Sequence, residues 1–237
     1  MENLTKKDEQ IILPKQDILT APLQRRSFLR YAGAGAAGIA LLAAGCKKDG
    51  MMIDDAAGVN LGSGDVGILN YAYALEQLEA AFYIKVASSF YSGITEAERS
   101  LLSDIRDHEI AHREFFKNAL GSNAIPGLEV DFSMINFSSR DSVLGTAKAF
   151  EDLGVSAYNG AGVLIKDANY LTLAGKIVSV EARHAALIRD LISNGSFANS
   201  EVIDNNGLDK SRLPLEVLGI AAPFIKTKIN ANDLPKS

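Results

Sequence analysis

Two Glu-x-x-His segments, Glu109-Ile-Ala-His112 and Glu181-Ala-Arg-His184, constrain this chain more than any other feature. On a helix, residues three apart share a face, so each segment can aim a carboxylate and an imidazole at one point. Both sit in helical patterns. Leu102, Ile105 and Phe116 fall at helical offsets around the first, and Ala174, Ile177, Val178 and Ile188 around the second. The faces that carry the polar pairs are therefore apolar and turned inward. A buried carboxylate is costly unless it is paired or bound to a cation. Two such pairs in one domain, holding two of the chain's three histidines, read as the halves of a metal site.

The remaining helical patterns say how the halves could meet. A first helix is predicted over about 66–91, broken at Ser92-Gly93. Thr95 and Glu98 have the spacing of a capping box and open a second helix, which runs to about Leu120 and stops at Gly121. The stretch 121–138 has no helical period and contains Pro126, Gly127 and the β-leaning Val130, Asp131 and Phe132. A third helix is expected over about 139–165 and a fourth over about 168–193, separated by Lys166-Asp167 and closed by Asn194-Gly195. Short connections make antiparallel neighbours, whereas the long one can cross from end to end. The expected fold is all-α: a four-helix bundle over 66–193, built of two antiparallel hairpins and a long crossover. The extension 194–237 should add one short helix between Leu213 and Ile225, near Pro214 and Pro223, packed on the outside.

The first 46 residues are set apart from the fold. Residues 24–30, with the pair Arg25-Arg26, resemble a twin-arginine export signal. The apolar run 31–45 is shorter than the roughly 20 residues of a membrane span. It ends at Ala43-Ala44-Gly45-Cys46, which resembles a lipoprotein cleavage box with Cys46 as the lipidated residue, although Ala43 stands where that pattern usually has Leu. The alternative is an ordinary export signal with an incidental cysteine. Residues 47–65 are polar and Gly-rich and read as a flexible tether. The expected place is the periplasm or envelope, with membrane contact only through the lipid. A tethered copy suits a monomer or dimer better than a closed cage.

Composition narrows the chemistry. With 237 residues and 47% hydrophobic content, the chain can bury one sizeable core. A net charge of −5 without a basic tract argues against nucleic acid as a partner. Cys46 is the only cysteine, which excludes a disulfide framework and any thiolate metal site in the body of the protein.

An internal repeat completes the donor set. Leu75-Glu76-Gln77-Leu78 with Tyr83 matches Phe150-Glu151-Asp152-Leu153 with Tyr158, each glutamate preceding its tyrosine by two helical turns. Each hairpin thus carries Glu…Tyr on its first helix and Glu-x-x-His on its second. Glu79 competes with Glu76, because its face is apolar too. The repeat decides for Glu76: Glu151 is its counterpart, while Glu79 corresponds to Gly154 and is kept as a neighbour of the site. His108 points about 100° away from Glu109 and is expected at the rim. The six donors are then Glu76, Glu109, His112, Glu151, Glu181 and His184. Oxygen-rich donors with some imidazole suit two divalent ions, iron first and manganese second, over zinc. Two such ions would neutralise four glutamates.

One Glu from each of two helices with Glu-x-x-His from each of the others resembles the ferritin-like di-iron and di-manganese proteins. On Leu75-Glu76-Gln77-Leu78-Glu79-Ala80-Ala81-Phe82-Tyr83 and Val180-Glu181-Ala182-Arg183-His184, it is most similar to their exported group, which includes plant desiccation-related proteins. The resemblance implies that Glu109 and Glu181 bridge the ions, that Glu76 and Glu151 are terminal, and that His112 and His184 each cap one metal. It also implies that Tyr83 and Tyr158 bond to ligand carboxylates. The implied chemistry is reaction with oxygen or peroxide, as a ferroxidase or a peroxide-detoxifying protein, with oxygen, peroxide or iron(II) as small substrates. The alternative is a non-catalytic, stress-associated or structural envelope protein with a metal-stapled or vestigial site. Oxygenation of an organic substrate would need an apolar pocket beside the metals.

Overall fold

A computed structural model describes residues 58–236. Arg25, Arg26 and Cys46, and most of the expected tether, lie outside the described residues. Four long helices carry the fold: α1 Gly64–Ser88, α2 Glu96–Leu120, α3 Arg140–Gly162 and α4 Ala168–Ile192. A short α5, Pro214–Ala221, follows in the extension. The chain is an all-α four-helix bundle in which α1 packs chiefly on α2 and α3 on α4. The expected helices are present, with α1 and α3 ending three residues early, at Ser88 and Gly162.

The ends are fixed by side chains. Thr95 and Glu98 form the expected capping box, each side chain bonding the other's backbone N–H at 3.1 Å. Glu98 also accepts from Arg140 Nε at 2.7 Å, and Arg140 donates to the Leu191 carbonyl, so one guanidinium ties together the ends of α2, α3 and α4. Asp65, in the first turn of α1, accepts from the backbone of Lys166 and Asp167 and thereby anchors the entry to α4.

α2 and α4 bury one stripe each, whereas α1 is buried nearly all round from Gly67 to Glu79. A helix without a polar face must be covered on every side. α2, α3 and the crossover do so. An irregular segment packed on a helix still needs partners for its backbone, and α1 supplies two buried amides. Asn70 donates to the carbonyls of Leu61 and Asn123 and accepts from Ile125 N–H. Gln77 accepts from Leu128 N–H at 2.8 Å. The β-leaning residues make only a single bridge, Val130 to Ile225.

The described part of the expected tether, 58–65, is packed against the domain. Val59–Asn60 (β1) pairs in parallel with Ile229–Asn230 (β2), and Leu61 is fully buried. The polar, Gly-rich composition hid two apolar anchors, Val59 and Leu61, that the C-terminal strand and Leu234 help to cover. The extension itself is pinned to α3. Arg212 N–H donates to the Ser156 carbonyl, and the Arg212 backbone crosses Gly160 so closely that a Cβ there would collide with it. The α5 helix seals that side with Val217 and Ala221, both fully buried.

Candidate metal centre

All six predicted donors converge. They form two overlapping groups, Glu76, Glu109, His112, Glu181 and Glu109, Glu151, Glu181, His184, with the donor atoms of each group within 4.8 Å of one another. Glu109 and Glu181 belong to both groups, the position a carboxylate shared between two cations would occupy. The halves mirror each other. His112 Nδ1 lies 2.8 Å from Glu181 Oε1 and 3.5 Å from Glu76 Oε2. His184 Nδ1 lies 2.8 Å from Glu109 Oε1 and 3.5 Å from Glu151 Oε2.

These contacts are short, but they are not aligned as hydrogen bonds. Glu76 Oε2, Glu151 Oε2, both oxygens of Glu109 and of Glu181, and Nδ1 of His112 and His184 are buried without a hydrogen-bond partner. Among the described residues only the Tyr71 and Tyr91 hydroxyls share that condition. Buried polar atoms are normally bonded, and an orphan costs about 1–3 kcal/mol. Eight orphans from six residues, all aimed inward, are donor atoms converging on common points. The donor set therefore fits a metal site.

The tyrosines hold the outer oxygens. Tyr83 donates to Glu151 Oε1 and Tyr158 to Glu76 Oε1, so each tyrosine crosses to the other hairpin. Each leaves the glutamate's second oxygen facing the cluster. Burial and the adjacent glutamate charge push both phenols well above their usual range, so they remain donors.

Charge explains why cations belong here. The four glutamates are fully buried, and burial pushes Glu76 up to about 7 and also raises Glu151 and Glu181. Burial pushes Glu109 the same way, but the two imidazoles outweigh it and hold it down at about 2. Burial lowers His184, yet Glu151 and Glu109 win and push it up to about 11. His112 rises well above its usual value, chiefly through Glu76 against the opposing effect of burial. Without metal, protons stand in for the missing positive charge.

Glu79 lies against the cluster without entering either donor group. Burial, then the charges of Glu181, Glu109, Glu151 and Glu76, push its carboxyl well above the usual range. Gly154 makes the room: a Cβ there would come within 3.1 Å of Glu79 Oε1 and 3.4 Å of Glu181 Oε2. The mismatch of Glu79 with Gly154 is thus complementary, a carboxyl on α1 filling what α3 leaves open. Because Glu79 enters neither donor group, Glu79→Gln is expected to leave metal content nearly unchanged by elemental analysis. Loss of metal in that variant would make Glu79 a ligand.

The repeat gave no hint of His108. Its Nδ1 lies 2.9 Å from His184 Nε2. Its counterpart in the second hairpin is Val180, so alignment of the halves could not find it.

A four-helix bundle with this buried set of four carboxylates and two imidazoles is a ferritin-like arrangement of residues that could hold a metal. The chain belongs to the family of the ferritin-like domain, whose model matches residues 64–194, more than half of its length. A search of curated proteins finds no match.

Proposed function

We propose that this chain binds two divalent ions, iron first and manganese second, at the centre of the bundle and uses them to reduce oxygen or peroxide. The observation that carries this reading is the convergence of eight orphaned donor atoms from four helices. Glu76 and His112 would serve one ion, Glu151 and His184 the other, with Glu109 and Glu181 between them. Bound there, two adjacent redox-active ions would supply electrons pairwise to oxygen or peroxide. The protein's part is to orient the ligands, through Tyr83 and Tyr158, and to exclude water with the apolar side chains around them.

An apolar cavity adjoins Tyr158, lined among others by Ile68, Tyr71, Leu75 and Phe116, with a volume of about 20 Å³. Sites for organic ligands run to about 300–1,000 Å³. A cavity this small favours oxygen or peroxide over an organic substrate. Anaerobic loading with iron(II) followed by one equivalent of peroxide per ion pair tests the reading. Peroxide should disappear with oxidation of two irons per chain. Unchanged peroxide beside bound metal would favour the metal-stapled, non-catalytic alternative.

The envelope location is part of the proposal and rests on Arg25-Arg26 and Cys46. Among the described residues no helix is long and apolar enough to cross a membrane. Replacing Arg25 and Arg26 by lysine should retain the protein in the cytoplasm, and Cys46→Ser should move it from the membrane to the soluble fraction. Normal export of the double-lysine variant would contradict the signal.

A further inference from the structure

His108 breaks the symmetry of the centre. Its ring and that of His184 have centroids 5.1 Å apart and planes only 8° from parallel. The 2.9 Å between His108 Nδ1 and His184 Nε2, added to the two ring radii, accounts for that centroid distance. The rings therefore meet edge to edge in one plane, as a hydrogen-bonded pair rather than a stack.

A cation among the carboxylates would decide which ring donates. His184 turns Nδ1 toward Glu109 and Glu151, so Nδ1 must carry a lone pair whenever a cation sits among those oxygens. A neutral imidazole has one N–H, which must then be on Nε2. Nε2–H points at His108 Nδ1, so His108 accepts and carries its own proton on Nε2. The other half has no histidine in the equivalent place. The residue in the matching position of α4 is Val180, which can accept nothing.

We infer that His108 is a positioning residue which, by accepting the Nε2 proton of His184, locks Nδ1 onto the carboxylates and makes that half of the centre the tighter cation site. The inference rests on the dinuclear reading of the site given above. It implies ordered loading: the half built from Glu151 and His184 fills first, and the half with His112 fills second. Hydrogen-bonded partners behind a metal-ligating histidine are worth about 10–100-fold in affinity.

Manganese(II) titration, with free ion read from its electron paramagnetic resonance signal, tests this on the full chain. The wild type should bind in two steps. His108→Leu should weaken the tighter step by about 10–100-fold, while His108→Asn, whose amide oxygen can take the place of Nδ1, should restore it to within about threefold of wild type. In a His184→Ala background, His108→Leu should change nothing further. A general loosening of packing would lower both steps and would not be rescued by asparagine. Two unchanged steps in His108→Leu would overturn the inference while leaving the dinuclear centre standing. A wild-type chain that takes up no manganese would overturn both.

Discussion

Glu109→Ala is expected to remove both metal ions, lowering the affinity of each by more than about 100-fold. Glu109 is fully buried, belongs to both donor groups and faces both imidazoles. Among the described residues only Glu181 also belongs to both groups. Its loss also leaves His112 and His184 without their shared counter-charge, which in a buried ion pair costs about 3–5 kcal/mol. The metal-free variant should therefore melt lower than the metal-free wild type. Glu76→Ala makes the informative comparison, since Glu76 belongs to one group only. It should strip one ion first and retain part of the second. His184→Ala falls between, with bound metal below half of wild type, because the surviving ion depends on bridging carboxylates that the lost ion would have held. Elemental analysis of the three variants, purified alike, ranks them. Equal losses in Glu109→Ala and Glu76→Ala would deny any bridging role.

Chelation is expected to lower the melting temperature by about 8–16 °C near neutral pH. A ligand present at a thousandfold its dissociation constant stabilises by about 4 kcal/mol, and a domain of this size shifts by about 2–4 °C per kcal/mol. The sign of the pH dependence follows from the imidazoles. In the metal-free protein His184 is pushed up to about 11 and His112 is raised likewise, so each must give up a proton to bind a cation. Each displaced proton costs the metal about 1.4 kcal/mol per pH unit below that value. The raised imidazoles contribute stability to the metal-free protein that is full below their unfolded value near 6.5 and is lost as pH rises toward 11. The gap between metal-loaded and metal-free melting should therefore widen from pH 6 to pH 8. Scanning calorimetry at several pH values, with and without chelator, measures it. A gap that narrows over that range would mean that the imidazoles are not ligands.

Much of this site was legible because its chemistry is periodic. Glu-x-x-His places two donors on one helix face whatever the rest of the fold does, and the repeat distinguishes Glu76 from Glu79 without reference to packing. The reciprocal crossing of Tyr83 and Tyr158 was not legible. Each lies two turns from a glutamate of its own helix yet bonds the glutamate of the other hairpin, a pairing that depends on how α1 and α3 cross. Nor was the contact of His108, which sits on the correct helix but reaches His184 across on α4. The polar, glycine-rich composition around Val59 and Leu61 predicts a tether. Val59 pairs with Ile229 and the Leu61 N–H bonds the Asn230 carbonyl, partners more than 160 residues further along the chain. Contacts set by spacing along one helix were readable, whereas contacts set by the meeting of two distant segments were not.

The central claim is that six residues on four helices hold two divalent ions. Anaerobic titration of the metal-free protein with iron(II), followed by elemental analysis after gel filtration, tests it most directly. The account predicts two ions retained per chain in the wild type and essentially none in Glu109→Ala. A wild type that retains none, or a Glu109→Ala variant that retains two, would contradict it.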